Sequence, residues 1–115
     1  MTDDAQAPKT VQLRRYELVP GVLDEFVAWF HEKIVPTRTS QGFTVEFAYA
    51  DREVEQFVWA VSVPGDAEAF RALEQSYLAS EGRAAAFAGQ PTRVAASHVR
   101  FVETVVEPGT APRPS

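Results

Sequence analysis

The sequence predicts an α+β domain in which strand, corner and helix are written twice, and two observations carry that prediction. The stretch VPGVLDEFVAW begins at Val19, and a weaker copy, VPGDAEAFRAL, begins at Val63. Each passes from an apolar strand end through a Pro-Gly corner into a helix start, with Phe five residues after the Gly and Ala two residues further on. Around the two copies, runs of alternating bulky residues have the period of strands, while the stretches after each corner have the period of helices.

Taken in order, residues 11–19 (VQLRRYELV) alternate well enough for a strand, closed by Pro20-Gly21. Leu23, Phe26, Val27, Phe30 and Ile34 then recur at spacings of three and four, which places them on one helical stripe, and Pro36 is expected to end that helix. Residues 43–50 (FTVEFAYA) and 57–63 (FVWAVSV) read as two strands of an antiparallel hairpin joined by DREVEQ. Asp66 is the expected N-cap of a second helix whose apolar stripe is Phe70, Leu73 and Tyr77, and GRAAAF continues as a short helix. Residues 97–106 (SHVRFVETVV) supply a fourth strand. The order βαββαβ is the ferredoxin-like unit, a four-stranded antiparallel sheet with both helices on one face. Its other face is left uncovered, so a second copy of the chain is the expected cover.

Composition bounds the rest. The 115 residues, 45% of them hydrophobic, suit one globular domain over residues 11–106, with polar, Pro-rich and disordered flanks at 1–10 and 107–115. A net charge of -5 without a basic cluster argues against nucleic acid as a partner. Cysteine is absent, which excludes disulfides, thiolate nucleophiles and Cys-based metal sites. The start, MTDDAQAPKT, is acidic and has no apolar core of a signal peptide, and no apolar run is long enough to span a bilayer. No membrane partner is therefore expected, and a cytoplasmic location is. Usage rich in Ala, Arg, Val and Glu suggests a bacterial genome of high GC content.

Strand alternation assigns side chains to faces. Phe43, Val45, Phe47 and Tyr49, with Phe57, Trp59, Val61 and Val63, form the rows expected to pack on the helices, joined by Tyr16, Leu18, Val99 and Phe101. The opposite face then collects Arg15, Glu17, Glu46, Ser62, His98 and Arg100 among small residues such as Ala48, Ala50 and Ala60. Arg14 fits this register awkwardly unless a bulge or an edge position accommodates it. Two sheets closing face to face would make the charged row either the lining of a ligand-holding lumen or a set of ion pairs.

The first 33 residues of the predicted domain, VQLRRYELVPGVLDEFVAWFHEKIVPTRTSQGF, resemble the opening of the NIPSNAP family at Arg14, Tyr16, Leu18, Pro20, Gly21, Phe26, Pro36, Gly42 and Phe43. FVWAVSVPGDAEAF is similar to that family's third strand and second helix, so the likeness covers residues 11–77. The tryptophan that many members carry late in the second helical region is missing from YLASEGRAAAF. The resemblance implies a homodimeric α+β barrel, in a superfamily that includes cofactor-free monooxygenases, polyketide cyclases, lactone isomerases, haem-degrading enzymes and proteins of no known activity. The Asn-dependent sites of the antibiotic monooxygenases and haem-degrading relatives cannot be carried over, because this chain has no asparagine.

Few chemistries are open to the remaining residues. There is no G-x-S-x-G elbow, H-E-x-x-H pair or glycine-rich phosphate loop, and neither His31 nor His98 has a carboxylate at metal-ligand spacing. His31 is the one residue a haem would use, by analogy with barrels that ligate haem through a helical His; as a surface residue it needs no such role. No cofactor is expected. The expected function is therefore binding, or cyclisation, isomerisation or oxygenation, of a hydrophobic or aromatic small molecule in the lumen. In that reading His98 carries the proton, Arg100 and Arg15 hold a developing anion, Glu46 orients the His or acts as a second base, and Glu17 and Ser62 contact the ligand. The alternative is a non-catalytic dimeric ligand-binding or interaction protein. Trp29, off the first helix's stripe, is expected to mark a further contact surface or to lie under the chain's own flanks.

Overall fold

The computed structural model describes residues 8–109. In it the chain runs β1 (Lys9–Leu18), α1 (Leu23–Trp29), a π-helical segment (Phe30–Ile34), α2 (Val35–Ser40), β2 (Thr44–Asp51), β3 (Gln56–Pro64), α3 (Ala67–Leu78), α4 (Glu81–Phe87) and β4 (Val94–Val102). One antiparallel sheet has the order β2-β3-β1-β4, so the two halves interleave and the fold is ferredoxin-like. Of the predicted flanks, residues 1–7 and 110–115 lie outside the described residues, while Lys9 and Thr10 open β1.

The two Pro-Gly corners do the same work. Gly21 has φ +86° and Gly65 φ +101°, left-handed values that favour glycine, and each turns a strand into the next helix. The corners differ in how the helix is capped. Asp66 accepts a hydrogen bond from the Ala69 amide at 2.9 Å, whereas Val22 offers α1 no side-chain cap. The first corner is held instead by the β2–β3 turn, whose Glu55 accepts from the Gly21 amide at 2.7 Å and, through its carbonyl, from the Leu18 amide at 3.1 Å.

Pro36 does not end the first helix. The Val35 amide donates to the Phe30 carbonyl five residues back, forming a wide π turn, and Pro36 starts α2 on its far side, where its missing N–H is not required. Over the twelve residues from Phe26 to Arg38, an unbroken α-helix at about 100° per residue would leave Arg38 about 120° away from Phe26 around the axis. The extra residue absorbed in the π turn reduces that to about 20°. Phe26, Phe30, Ile34 and Arg38 therefore share one buried stripe, each 5% exposed or less.

Between the helices and the sheet lies an aromatic core. Phe26 meets Phe57 with ring centroids 4.9 Å apart and Tyr16 at 5.9 Å, and Phe30 meets Phe57 at 4.7 Å and Trp59 at 4.9 Å. Phe43 links this group to α3 through Phe70 at 5.6 Å and Tyr77 at 5.7 Å. Trp29 belongs to it as well: its Nε1 donates to the Ala86 carbonyl at 3.0 Å and its ring meets Phe87 edge-on at 5.0 Å, so α4 covers it.

One row on β2 differs from the predicted alternation. The pairing with β3 shifts between Val45 and Phe47, where Glu46 forms a bulge. Val45 stays on the helix side opposite Val61, but beyond the bulge Phe47 lies opposite Ala60 and Tyr49 opposite Val58, on the open face, and Ala48 and Ala50 move to the helix side. The two flipped rings stack at 5.1 Å. Nor is the open face wholly bare, since residues 103–108 turn back beside Val11, Leu13, Glu46 and Phe47, with Lys9 donating to Glu107 at 3.0 Å.

Truncating Phe26, 1% exposed and in ring contact with four other aromatics, is expected to cost about 3–5 kcal/mol of stability. Urea unfolding of Phe26→Ala checks this, and a loss below about 1 kcal/mol would show that the ring is not the centre of the core.

Candidate functional site

The residues singled out from sequence do share the open face, but they fall into separate groups. At one end His98 Nε2 lies 2.8 Å from Glu17 Oε2, Arg15 Nη1 lies 3.9 Å from the same oxygen, and Arg15 also donates to Gln56 at 3.4 Å. At the other end Ser62 Oγ donates to Glu46 at 2.6 Å and Lys9 Nζ donates to Glu46 at 3.0 Å. Arg100 sits between the groups, opposite Leu13 and exposed. His98 pairs with Arg15 across the sheet and Ser62 with Val11. Four residues of strand, about 13 Å, therefore separate the His98 position from Glu46. Within one chain it is Glu17, not Glu46, that orients His98.

Burial alone would raise the Glu46 carboxyl, yet the Ser62 hydroxyl and the Lys9 ammonium together hold it below its ordinary value. Burial likewise works to lower Lys9, and Glu107 and Glu46 outweigh it and raise it. This cluster has the character of a closed ion-pair group.

A different cavity lies on the other side of the sheet, between it and the helices, with a volume of about 310 Å³. Its walls are rings: Tyr16 from β1, Phe26 and Trp29 from α1, Phe30 from the π segment, Trp59 from β3, Tyr77 from α3 and Phe87 from α4. Both tryptophans of the chain are among them. Its mouth is formed by Leu78, Arg83, Phe87 and residues 90–94, so α4 and the loop into β4 make the rim.

Charged groups enter this aromatic space at defined points. Arg14 stands directly opposite Trp59 in the β1–β3 register, on the helix side, which resolves its awkward fit to the alternation without a bulge. Its Nε donates to the Tyr16 hydroxyl at 2.8 Å and its Nη1 to Gln12 at 2.5 Å, and its guanidinium carbon lies 5.6 Å from the Trp59 ring. Arg38, 4% exposed, holds Glu74 with a fork of 2.6 and 3.4 Å and is enclosed by Tyr77 at 4.1 Å, Phe43 at 4.7 Å and Trp59 at 5.5 Å. Burial pushes the Tyr77 hydroxyl above the ordinary phenol value, against the pull of Arg38 and Arg83, so it stays protonated at neutral pH. Two buried donors, Arg38 Nε and Trp59 Nε1, meet no acceptor among the described residues.

The lining contains four arginines, Arg14, Arg38, Arg83 and Arg93, against one carboxylate, Glu74. Arg38 is paired with Glu74, and Arg93 with Glu25 at 2.8 Å. Among the described residues, Arg14 and Arg83 have no carboxylate within ion-pair distance; Arg83 lies 4.2 Å over the Phe87 ring. His31 is exposed on the π segment and outside the cavity. Among the described residues no group of three His, Cys, Asp or Glu is placed to hold a metal ion, and no helix is long and apolar enough to cross a membrane.

Two features of the sequence point to this cavity. One is a charged residue, Arg14, in a row of bulky ones; the other is Arg38, which continues the spacing-of-four stripe beyond Pro36.

Solved structures carry the same architecture. A NIPSNAP family protein from Agrobacterium tumefaciens superposes with a TM-score of 0.76 at 11% identity, over 90% of this chain and 100% of that one. An uncharacterized NIPSNAP domain protein from Burkholderia xenovorans gives 0.72 at 13% identity, over 90% and 99%. This chain shares the fold of these NIPSNAP proteins. A protein described as a putative antibiotic biosynthesis monooxygenase, from Bacteroides thetaiotaomicron, shares the fold at a TM-score of 0.66 and 19% identity, over 91% and 96%. No protein-family profile matches the sequence, and no curated protein does.

Two outcomes test the charge assignments. Glu74→Gln leaves Arg38 buried without its anion and is expected to cost about 3 kcal/mol, the lower end for a broken buried pair because Glu74 is partly exposed. The double change Arg38→Met with Glu74→Leu should recover most of that loss in urea unfolding. The lowered Glu46 contributes stability that is fully present above the ordinary carboxylate value of 4.5 and is lost as pH falls through its depressed value. Denaturant midpoints measured from pH 6 down to about pH 3 should therefore fall more steeply for the natural protein than for Glu46→Gln; equal slopes would show that Glu46 is not held ionised.

Proposed function

We propose that this NIPSNAP-like protein binds a flat, hydrophobic small molecule in the cavity between helices and sheet, and not in a lumen between two sheets. One observation carries the reading: a space of about 310 Å³, within the range of small-ligand sites, is walled by aromatic rings and lined by four arginines against one carboxylate. A core built only for packing would fill such a space. A planar molecule is the natural partner for a wall made of rings, and Arg14 and Arg38 both lie near the Trp59 ring.

Binding suits this lining better than acid–base catalysis by the residues first singled out. His98 and Glu46 are on the opposite sheet face, Glu74 is held by Arg38, and Tyr77 is kept protonated. The open face is read as the contact between two copies of the chain, supported by the stacked Phe47 and Tyr49, the latter 65% exposed, and by Val102 at 37%. In that arrangement the Arg15–Glu17–His98 and Lys9–Glu46–Ser62 groups become interface ion pairs.

Native mass spectrometry of the protein purified from its own host tests both parts. The expected spectrum is a dimer carrying up to one small molecule per chain, and removal of that molecule should change the fluorescence of Trp29 and Trp59 together. A dimer without adduct, whose fluorescence no naphthalene-sized aromatic quenches saturably, would defeat the cavity reading, and a monomer would defeat the interface.

A further inference from the structure

Resting on the cavity reading, we infer that the ligand is an aromatic anion, a carboxylate or an acidic enol of similar size, whose charged end is met by Arg14. The protein as a whole is acidic, at net charge -5, yet the cavity lining reverses that sign with four arginines and one glutamate. A reversal of this kind against the global charge serves the local potential of the site.

The four cations are not equivalent. Arg38 and Arg93 have their charge met by Glu74 and Glu25. Arg83 lies over the Phe87 ring at the rim. Arg14 reaches in from the central strand β1, and its two hydrogen bonds go to the uncharged Tyr16 hydroxyl and Gln12 amide oxygen. These bonds fix the guanidinium beside Trp59 and leave its charge uncompensated among the described residues.

The neighbouring rings add the second half of the argument. Trp59 and Arg38 line the same cavity as Arg14, and each guanidinium is within 6 Å of the Trp59 ring. A carboxylate or enolate would compensate the Arg14 cation, whereas a neutral hydrocarbon would leave it unmet. The rings around it would hold the aromatic body of the same molecule.

The test compares 2-naphthoate with 2-naphthamide, which match in size and shape and differ in charge, by quenching of the two cavity tryptophans at neutral pH. Naphthoate is expected to bind at least tenfold more tightly, and added salt should weaken it and leave the amide unaffected. In Arg14→Gln the preference should fall to less than threefold while amide binding persists, and Arg14→Lys, which keeps the charge, should retain part of it. Equal affinity of the two probes for the natural protein overturns the anion and leaves the cavity reading standing. Quenching by neither probe overturns both. A preference that survives Arg14→Gln overturns the role of Arg14.

Discussion

A guanidinium as buried as Arg38 is stable only if a helix turns it inward and a carboxylate meets it there, and the chain supplies each condition from a different half of the fold. The π turn at Phe30–Ile34 rotates α2 so that Arg38 continues the stripe of Phe26, Phe30 and Ile34. Glu74, from α3 in the second half, closes the ion pair at 2.6 Å. Without the extra residue, α2 would present a different side to the sheet, and the rings around Arg38 would have no cation to enclose. The pair thus joins the two halves at the wall of the cavity, and the enclosing Tyr77, Phe43 and Trp59 faces partly replace the water that the charge has lost.

The same arrangement explains why a cavity persists in a core so rich in rings. Aromatic side chains meet edge to face, as Phe30 does with Trp59 and Phe43 with Tyr77, and rigid planes at such angles leave gaps that flexible aliphatic chains would fill. The arginines set the polarity of the gap. In a partly enclosed site their fields are screened less than on the open surface, so a few charges weigh heavily in the potential there even though the protein carries the opposite net sign.

Much of this was legible from the order of residues, and the misses share a physical origin. Hydrophobic period and the repeated Pro-Gly corner were enough for the six main elements, because burial on one face imposes those periods directly. The alternation failed on β2 past Glu46, since one bulged residue inverts every later side chain and nothing in VEFAYA marks where the bulge falls. The stop assigned to Pro36 failed because a π turn lets a helix restart at a proline. The charged residues of the open face do lie on one face, as alternation requires, but strand register, which sequence does not disclose, keeps His98 and Glu46 apart.

Strand β1 connects the two sides of the molecule. It lies between β3 and β4, and its alternate residues look in opposite directions: Arg14 and Tyr16 into the cavity, Arg15 and Glu17 onto the open face beside His98. Two different ladders hold it: pairing with β3 sets Arg14 opposite Trp59 on the cavity side, and pairing with β4 sets Arg15 opposite His98 on the open face. One central strand therefore supplies both the cation of the aromatic cavity and part of the charged group on the other side of the sheet, because alternate side chains of a strand point to opposite faces.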